Sequence, residues 1–302
     1  MNRSIFWKKF LLITALNSGS FVPVAFAYER DVHQQITFIA AKQMSRCESL
    51  PDLAPNARLS ALDTRYIVKA NVAQAGSNVF VRMFRWNYYN PIGDEVKPVL
   101  GIIDTRFDSH FNVLVEELSE SDERQQRLSV FGRILNYVQD VTSPAKVVPV
   151  FTGRWWRFSF SDRFDKFPVD VTRLQKTLGN YCADLEPHYL LDKADIATAM
   201  NTLVRRTAVE TLRHVEMNID GFPTTWASYW QPAKNKEEFG AYGVAGNNFG
   251  ERAEFACGDG EQCFLLKDDP LYQDFAHIQH LIAVRVTIQA MFLMQYQEQA
   301  RQ

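Results

Sequence analysis

The chain has 302 residues, of which 46% are hydrophobic and 23% charged, and its formal net charge is −2. That is ordinary globular composition, with enough apolar material for a substantial core. The near-neutral balance excludes a protein that coats nucleic acid, and no double-stranded nucleic-acid partner is expected.

Residues 1–27 read as a secretory signal peptide. Arg3, Lys8 and Lys9 supply a basic head, FLLITAL a short apolar run, and Ala25-Phe26-Ala27 small residues at the two positions a signal peptidase reads. The apolar run is too short to span a bilayer as a mature anchor. Cleavage before Tyr28 shifts the formal charge from −2 to −5 and leaves one domain, 28–302, secreted or periplasmic. Four cysteines in an exported chain point to disulfides: Cys47, Cys182, Cys257 and Cys263. CGDGEQC reads as a small stapled loop pairing Cys257 with Cys263, which would leave Cys47 for Cys182. Three pairings are possible, and spacing does not choose among them.

The dominant period after the leader is helical. DVHQQITFIAAKQM gathers Val32, Ile36, Phe38, Ile39 and Met44 on one side. DTRFDSHFNVLVEEL and RQQRLSVFGRILNYVQDV follow the same rule. VTRLQKTLGNYC is shorter, and KADIATAMNTLVRRTAVETLRHVEMN is long and rich in helix formers. PLYQDFAHIQHLIAVRVTIQAMFLMQYQEQ closes the chain, with Pro270 where a first-turn proline is tolerated. Strand signals are weak, so the expected class is all-α, with long loops over about 77–100, 144–168 and 217–268.

Two loops carry unusual composition. FTGRWWRFSFSDRFDKF interleaves aromatics with arginines; Trp155, Trp156 and Arg157 are candidates for binding a phosphate-bearing lipid or another anion. The competing reading is a loop pinned over the core by its aromatics. FGAYGVAGNNFGE is glycine-rich but lacks GxGxxG spacing after a strand, so a phosphate cradle is not expected.

The chemistry-bearing stretch is LNYVQDVTSPAK. Asn136 and Asp140 are one helical turn apart on a helix with an apolar stripe, and Lys146 follows just past a proline. At the other end, cleavage before Tyr28 would free an α-amine with His33 five residues on. Amine, backbone carbonyl and imidazole together can chelate zinc.

These pieces resemble the zinc-dependent phospholipase C and S1/P1 nuclease superfamily, mostly α-helical exported phosphoesterases with three clustered zinc ions. The signature helix of that family reads approximately H-x3-D-x-T-x-P-x-H, beside which stands xxYVQDVTSPxK. FRWNYYNP is similar to a further element, in which a His precedes an aromatic pair, and SDRFD to the last, H-x3-D/E. The resemblance implies that Tyr28, His33 and Asp140 are the surviving metal ligands, for one zinc ion or none, with Asp165 a fourth match. It also implies four losses: Asn136 and Lys146 stand at the two His positions of the signature helix, Asn87 at the His of the aromatic-pair element, and Ser161 at the His of the last. The family's acid falls within KANVAQAGSN, where Ala75 is the nearest match. An ammonium has no lone pair, so Lys146 cannot ligate while protonated; it can occupy the space of a cation and pair with Asp165 or Asp140.

Three functional readings follow. One is a degenerate phospholipase C-like protein with little or no hydrolase activity that binds a phospholipid, another phosphate-bearing ligand or a protein partner. A second is an active phosphodiesterase with a reduced metal set. A third is a non-enzymatic interaction protein. Convergence of Tyr28, His33 and Asp140 argues against the third; Lys146 directed at Asp165 favours the first; entry of His110, His277 or His280 into the cleft favours the second.

Overall fold

The structure, a computed structural model, describes residues 28, 30–47, 57–75, 88–91, 106–148, 150, 161–179, 181, 195–235, 238–258 and 260–301. They form eight α-helices: α1 (Arg30–Met44), α2 (Ala61–Ala75), α3 (Phe107–Glu120), α4 (Arg124–Asp140), α5 (Pro144–Val147), α6 (Val171–Leu178), α7 (Ile196–Val215) and α8 (Pro270–Ala300). No described helix is long and apolar enough to cross a membrane.

Helix α4 is the hub. The periodicity of RQQRLSVFGRILNYVQD predicts one buried stripe, yet every residue from Ile134 to Asp140 is buried. Helices α2, α3 and α8 all pack on it. The approach of α2 is closest and depends on Gly132, where a Cβ would run into the Ile67 carbonyl oxygen and lie 2.8 Å from the Ala70 Cβ. A helix enclosed on all sides must bury whatever polar side chains it carries, and those must find partners within the protein. The polar flank of α4 is therefore interior, not solvated.

Helix starts follow local chemistry. Asp170, Asp195 and Asp269 each accept a backbone N–H at the N-termini of α6, α7 and α8. Arg127 makes two hydrogen bonds to Glu298, at 2.5 and 2.8 Å, tying the start of α4 to the end of α8. Arg124 adds bonds to Glu298 and Asp63.

The all-α expectation is corrected. The segment read as a loop over 217–268 holds two antiparallel two-stranded sheets: β1 (Trp230–Gln231) with β2 (Ala241–Tyr242), and β3 (Ala253–Gly258) with β4 (Glu261–Leu265). The protein remains helix-dominated. In β3 the alternation is regular, with Ala253, Phe255 and Cys257 inward and Glu254, Ala256 and Gly258 outward. That period-2 signal was present in AEFACG but spans only six residues, with a small residue at half of them. The Cys257–Cys263 disulfide closes the β3–β4 hairpin. Cys47 is also disulfide-bonded, whereas Cys182 lies outside the described residues. Helix α2 was not predicted either; its buried residues are Ile67 and Val68 with the small Ala70 and Ala75 and the polar Asn71, so no strong apolar stripe marks it.

Candidate functional site

Four chain segments meet around the C-terminal end of α4. Tyr28 is completely buried; its ring meets the His33 imidazole edge-on at 5.5 Å and also packs against Phe164 and His280. The Thr142 hydroxyl donates to the Gln139 carbonyl, so the 3.2 Å contact with Tyr28 has the phenol donating to Thr142. Burial raises the Tyr28 phenol well above its ordinary range, and the carboxylates of Asp165, Asp140 and Asp162 push it the same way.

The proton arrangement around His33 follows from the bonds themselves. Thr37 donates to the His33 carbonyl, so its oxygen can only accept from Gln139 Nε2 and Asn71 Nδ2, both at 2.9 Å. Gln139 Oε1 is then an acceptor, taking Asn71 Nδ2 at 3.0 Å and His33 Nδ1–H at 2.6 Å. With the proton on Nδ1, the lone pair on Nε2 receives Asn136 Nδ2 at 3.0 Å, and the other hydrogen of that amide goes to Asn71 Oδ1 at 3.2 Å. Gln139 Nε2 also reaches Thr287 on α8. The network joins α1, α2, α4 and α8, and these six side chains are satisfied.

Asp140 stands outside that closure. Its Oδ1 is 3.5 Å from His33 Nε2, but two lone pairs face each other there, and Oδ1 has no hydrogen-bond partner among the described residues. The resemblance implies a metal held by His33 and Asp140. Two ligands of a tetrahedral zinc stand about 3.3 Å apart, so the spacing alone is suitable. The donor set is not: the lone pair that zinc needs is taken by an Asn136 N–H. The remaining zinc positions fit less well. At the lost His positions, Asn136 donates to Asn71, Asn87 lies outside the described residues, and Lys146 brings an ammonium. Among the described residues no three His, Cys, Asp or Glu side chains are grouped to hold a metal ion. The residues do not fit the zinc set, and no hydrolytic step is derived through one.

The second half of the site is held by aromatic packing. Phe164 lies between Asp162 and Asp165 in a 3₁₀ turn (Phe164–Lys166) and inserts among Trp230, Phe249, Phe275 and His280. With Phe164 anchored, both neighbouring carboxylates are drawn inside. Asp162 accepts three bonds, from its own Phe164 N–H, Trp230 Nε1 and the Tyr242 hydroxyl. Two of those donors come from β1 and β2, so the small sheet absent from the sequence reading fixes this carboxylate. Among the described residues Asp165 accepts only from Ser143 Oγ, at 2.6 Å. Burial pushes Asp165 up to about 7, the Asp162 charge adds to this, and Lys146 and the Ser143 bond work against it. Asp162 is raised too, by burial, despite its three donors and Lys146.

Lys146 is buried on α5, in the field of Asp162 and Asp165. No ion pair under 4.0 Å joins it to a described residue, so it acts as a nearby positive charge, not a bonded partner. Its carbonyl accepts Tyr89 N–H at 2.9 Å, which brings the aromatic-pair segment against the site.

Tyr28, His33, Asp140, Asn136, Lys146 and Asp165 are thus brought together. Ser161 is buried nearby, but what it contributes is its carbonyl, to Asn247. Asn87, Trp155, Trp156 and Arg157 lie outside the described residues. Within KANVAQAGSN, Asn71 and not Ala75 reaches the network. His277 bonds Thr177 instead. His280 does border the site, through Tyr28 and Phe164; it is fully buried, its Nε2 has no hydrogen-bond partner among the described residues, and burial pulls it down to about 3. Sequence reasoning missed Asn71, Gln139, Thr37, Thr287, Asp162 and Ser143. The one available signal was the presence of Asn, Gln and Thr on otherwise buried helix faces.

No family model, curated protein or solved structure matches the chain.

Proposed function

We propose that this protein is an exported, non-hydrolytic relative of the zinc-dependent phospholipases C and S1/P1 nucleases, in which hydrogen bonds and one lysine have taken over from the metals. The supporting observation is the Asn136 amide: its N–H fills the His33 lone pair that a zinc would need. Asn71 completes that exchange, and Lys146 supplies positive charge beside Asp162 and Asp165. Phosphodiester hydrolysis in such a family depends on metals to make hydroxide and to clamp the phosphoryl oxygens. A site that has exchanged those ions for amides and an ammonium keeps a shaped, charged interior without that chemistry. Its role on this reading is binding, of a phosphate-bearing or lipidic ligand or of a protein partner, after signal-peptide cleavage before Tyr28.

The test is metal content together with turnover. The protein is exported so that Tyr28 is its first residue, purified without chelator or histidine tag, and its metals are counted by mass spectrometry. It is then assayed on phosphatidylcholine vesicles and on a chromogenic phosphodiester, with and without added zinc. The expected result is no stoichiometric metal and no turnover above a buffer control. One tightly bound zinc per chain, or zinc-dependent hydrolysis abolished by His33→Ala, overturns the reading.

A further inference from the structure

A second cavity lies away from the residues around His33. Met44 and Met291 stand eleven residues beyond His33 on α1 and beyond His280 on α8, about 16 Å further along each helix. Together with the segment that leads into α2 they line a cavity of about 260 Å³. Ala41, Met44, Leu59 and Met291 give it apolar walls, and both methionines are buried. An apolar cavity of about 150 Å³ admits benzene, and the pockets of larger ligands begin near roughly 300 Å³. By that ratio this one suits a guest of about ten non-hydrogen atoms and excludes a whole phospholipid. Unbranched thioether side chains adapt to a flexible guest more readily than branched ones.

Two polar groups on the lining specify the guest's other end. Gln295 is only 3% exposed. Its Oε1 accepts the Leu59 N–H at 3.1 Å, which turns Nε2 towards Met44 Sδ at 3.4 Å. A thioether is a weak acceptor, so a buried amide donor is left with a poor partner. Arg58 lines the same cavity and is exposed, so it stands at the mouth. It precedes Leu59, so amide and guanidinium flank one stretch of the lining. The neighbouring carboxylates are already engaged: Asp63 by Arg124, and Glu298 by Arg124 and Arg127. Arg124 meets Arg58 only at its carbonyl oxygen. Among the described residues none pairs with the Arg58 guanidinium. A single uncompensated guanidinium matches a single negative charge, and its planar fork matches a carboxylate.

We infer that this cavity is a binding site for a medium-chain monocarboxylate. The acyl chain lies along Met44, Met291, Ala41 and Leu59, and the carboxylate meets Arg58, with Gln295 Nε2 as a second donor. The site uses none of the residues around His33, so it stands independently of whether the protein holds zinc or hydrolyses phosphodiesters.

The exported protein, isotope-labelled at its methionine methyls, is titrated with sodium octanoate. The Met44 and Met291 signals are followed by NMR and assigned with Met44→Leu and Met291→Leu. Both should shift saturably, with a Kd below about 1 mM. Octanol, the same chain without the charge, should bind at least about tenfold more weakly, a ratio corresponding to ~1.4 kcal/mol. In Arg58→Gln, a change at an exposed side chain, octanoate should fall to the affinity of octanol while octanol keeps its own. Ala41→Leu narrows the cavity and should weaken both ligands alike. The assignment is overturned by any of four results: no saturable shift at these two methyls, equal affinity for octanoate and octanol, unchanged octanoate affinity in Arg58→Gln, or wild-type affinity in Ala41→Leu.

Discussion

His33 and Asp140 lie 3.5 Å apart without bonding, because the side-chain oxygen Oε1 of Gln139 holds the imidazole proton on the far nitrogen. Gln139 is thus the residue that sets the site's protonation pattern. It also donates to Thr37 and Thr287 and accepts from Asn71. Gln139→Leu keeps the volume and removes every one of those bonds. With about 1–3 kcal/mol lost per buried polar group left unpaired, it should destabilise the protein by about 3 kcal/mol or more, read as a lower midpoint in a urea titration at unchanged slope.

Two other residues give opposite pH signatures. Asp165 is raised to about 7, above the unfolded value of about 4. Between those values the folded chain holds more protons than the unfolded one, so this group's contribution to stability falls as pH rises from about 4 to about 7 and is constant above. His280 is pulled down to about 3. The unfolded chain takes its proton below about 6.5 and the folded one does not, so this contribution is lost as pH falls through that window. Melting curves across pH 4.5–7.5 (roughly the span of both windows) should therefore separate the variants. Asp165→Asn should lose less stability than wild type on going from the acidic to the neutral end, and His280→Phe should lose less on going the other way. Parallel curves for wild type and Asp165→Asn would mean the carboxyl titrates normally.

At the scale of elements, α4 is fixed by close approach on one side and by charge at its start. Gly132 lies against the backbone of α2, where an added methyl has no room. Alanine is the better helix former by about 1 kcal/mol, so Gly132→Ala would stabilise an isolated helix. Here it should instead lower Tm by several degrees, because α2 and α4 must separate and overpacking costs about 1–3 kcal/mol or more. The Arg127–Glu298 pair is buried and doubly hydrogen-bonded, and it keeps Arg127 firmly protonated. Glu298→Ala leaves that guanidinium buried without its counter-ion, at a cost of about 3–5 kcal/mol. Hydrogen exchange should then rise over the last turns of α8 and the first turn of α4 before it rises in α2. Uniform exchange would show that the pair does not hold the two ends together.

Across the whole molecule, the second sheet is covalently closed and packs its inner Phe255 on Tyr229, which itself meets Phe249 in the aromatic core. The Cys257→Ala/Cys263→Ala double variant should lose about 2 kcal/mol, the chain-entropy value for so short a loop, while Cys47 stays bridged. The loss should be seen in thermal unfolding without reductant. The molecule as a whole is a helical framework around α4, with the β1–β2 sheet reaching in to hold Asp162. That division explains how much was legible beforehand. The long helices α1, α3 and α7 were readable because each shows a 3.6-residue period over three or more turns, and α8 because its run of helix formers is long and starts at Pro270. Helix α2 lacked the stripe, and the four strands were too short for a period-2 signal to rise above the background.

The sequence by itself determined the helical class of most elements, the short spacing that lets Cys257 reach Cys263, and the collection of residues around LNYVQDVTSPAK. These depend on neighbours within a few positions, which is what periodicity and spacing record. What those residues do was decided only by tertiary structure. Whether Asn136 ligates, donates or is solvated depends on Asn71 and His33, which are 65 and 103 positions away. Whether Asp165 is a carboxylate or a half-protonated acid depends on burial under Phe164 and on the charge of Asp162, which owes its own position to Trp230 and Tyr242. Hydrogen-bond direction and desolvation are properties of an enclosed volume, and a linear sequence does not state which side chains enclose it.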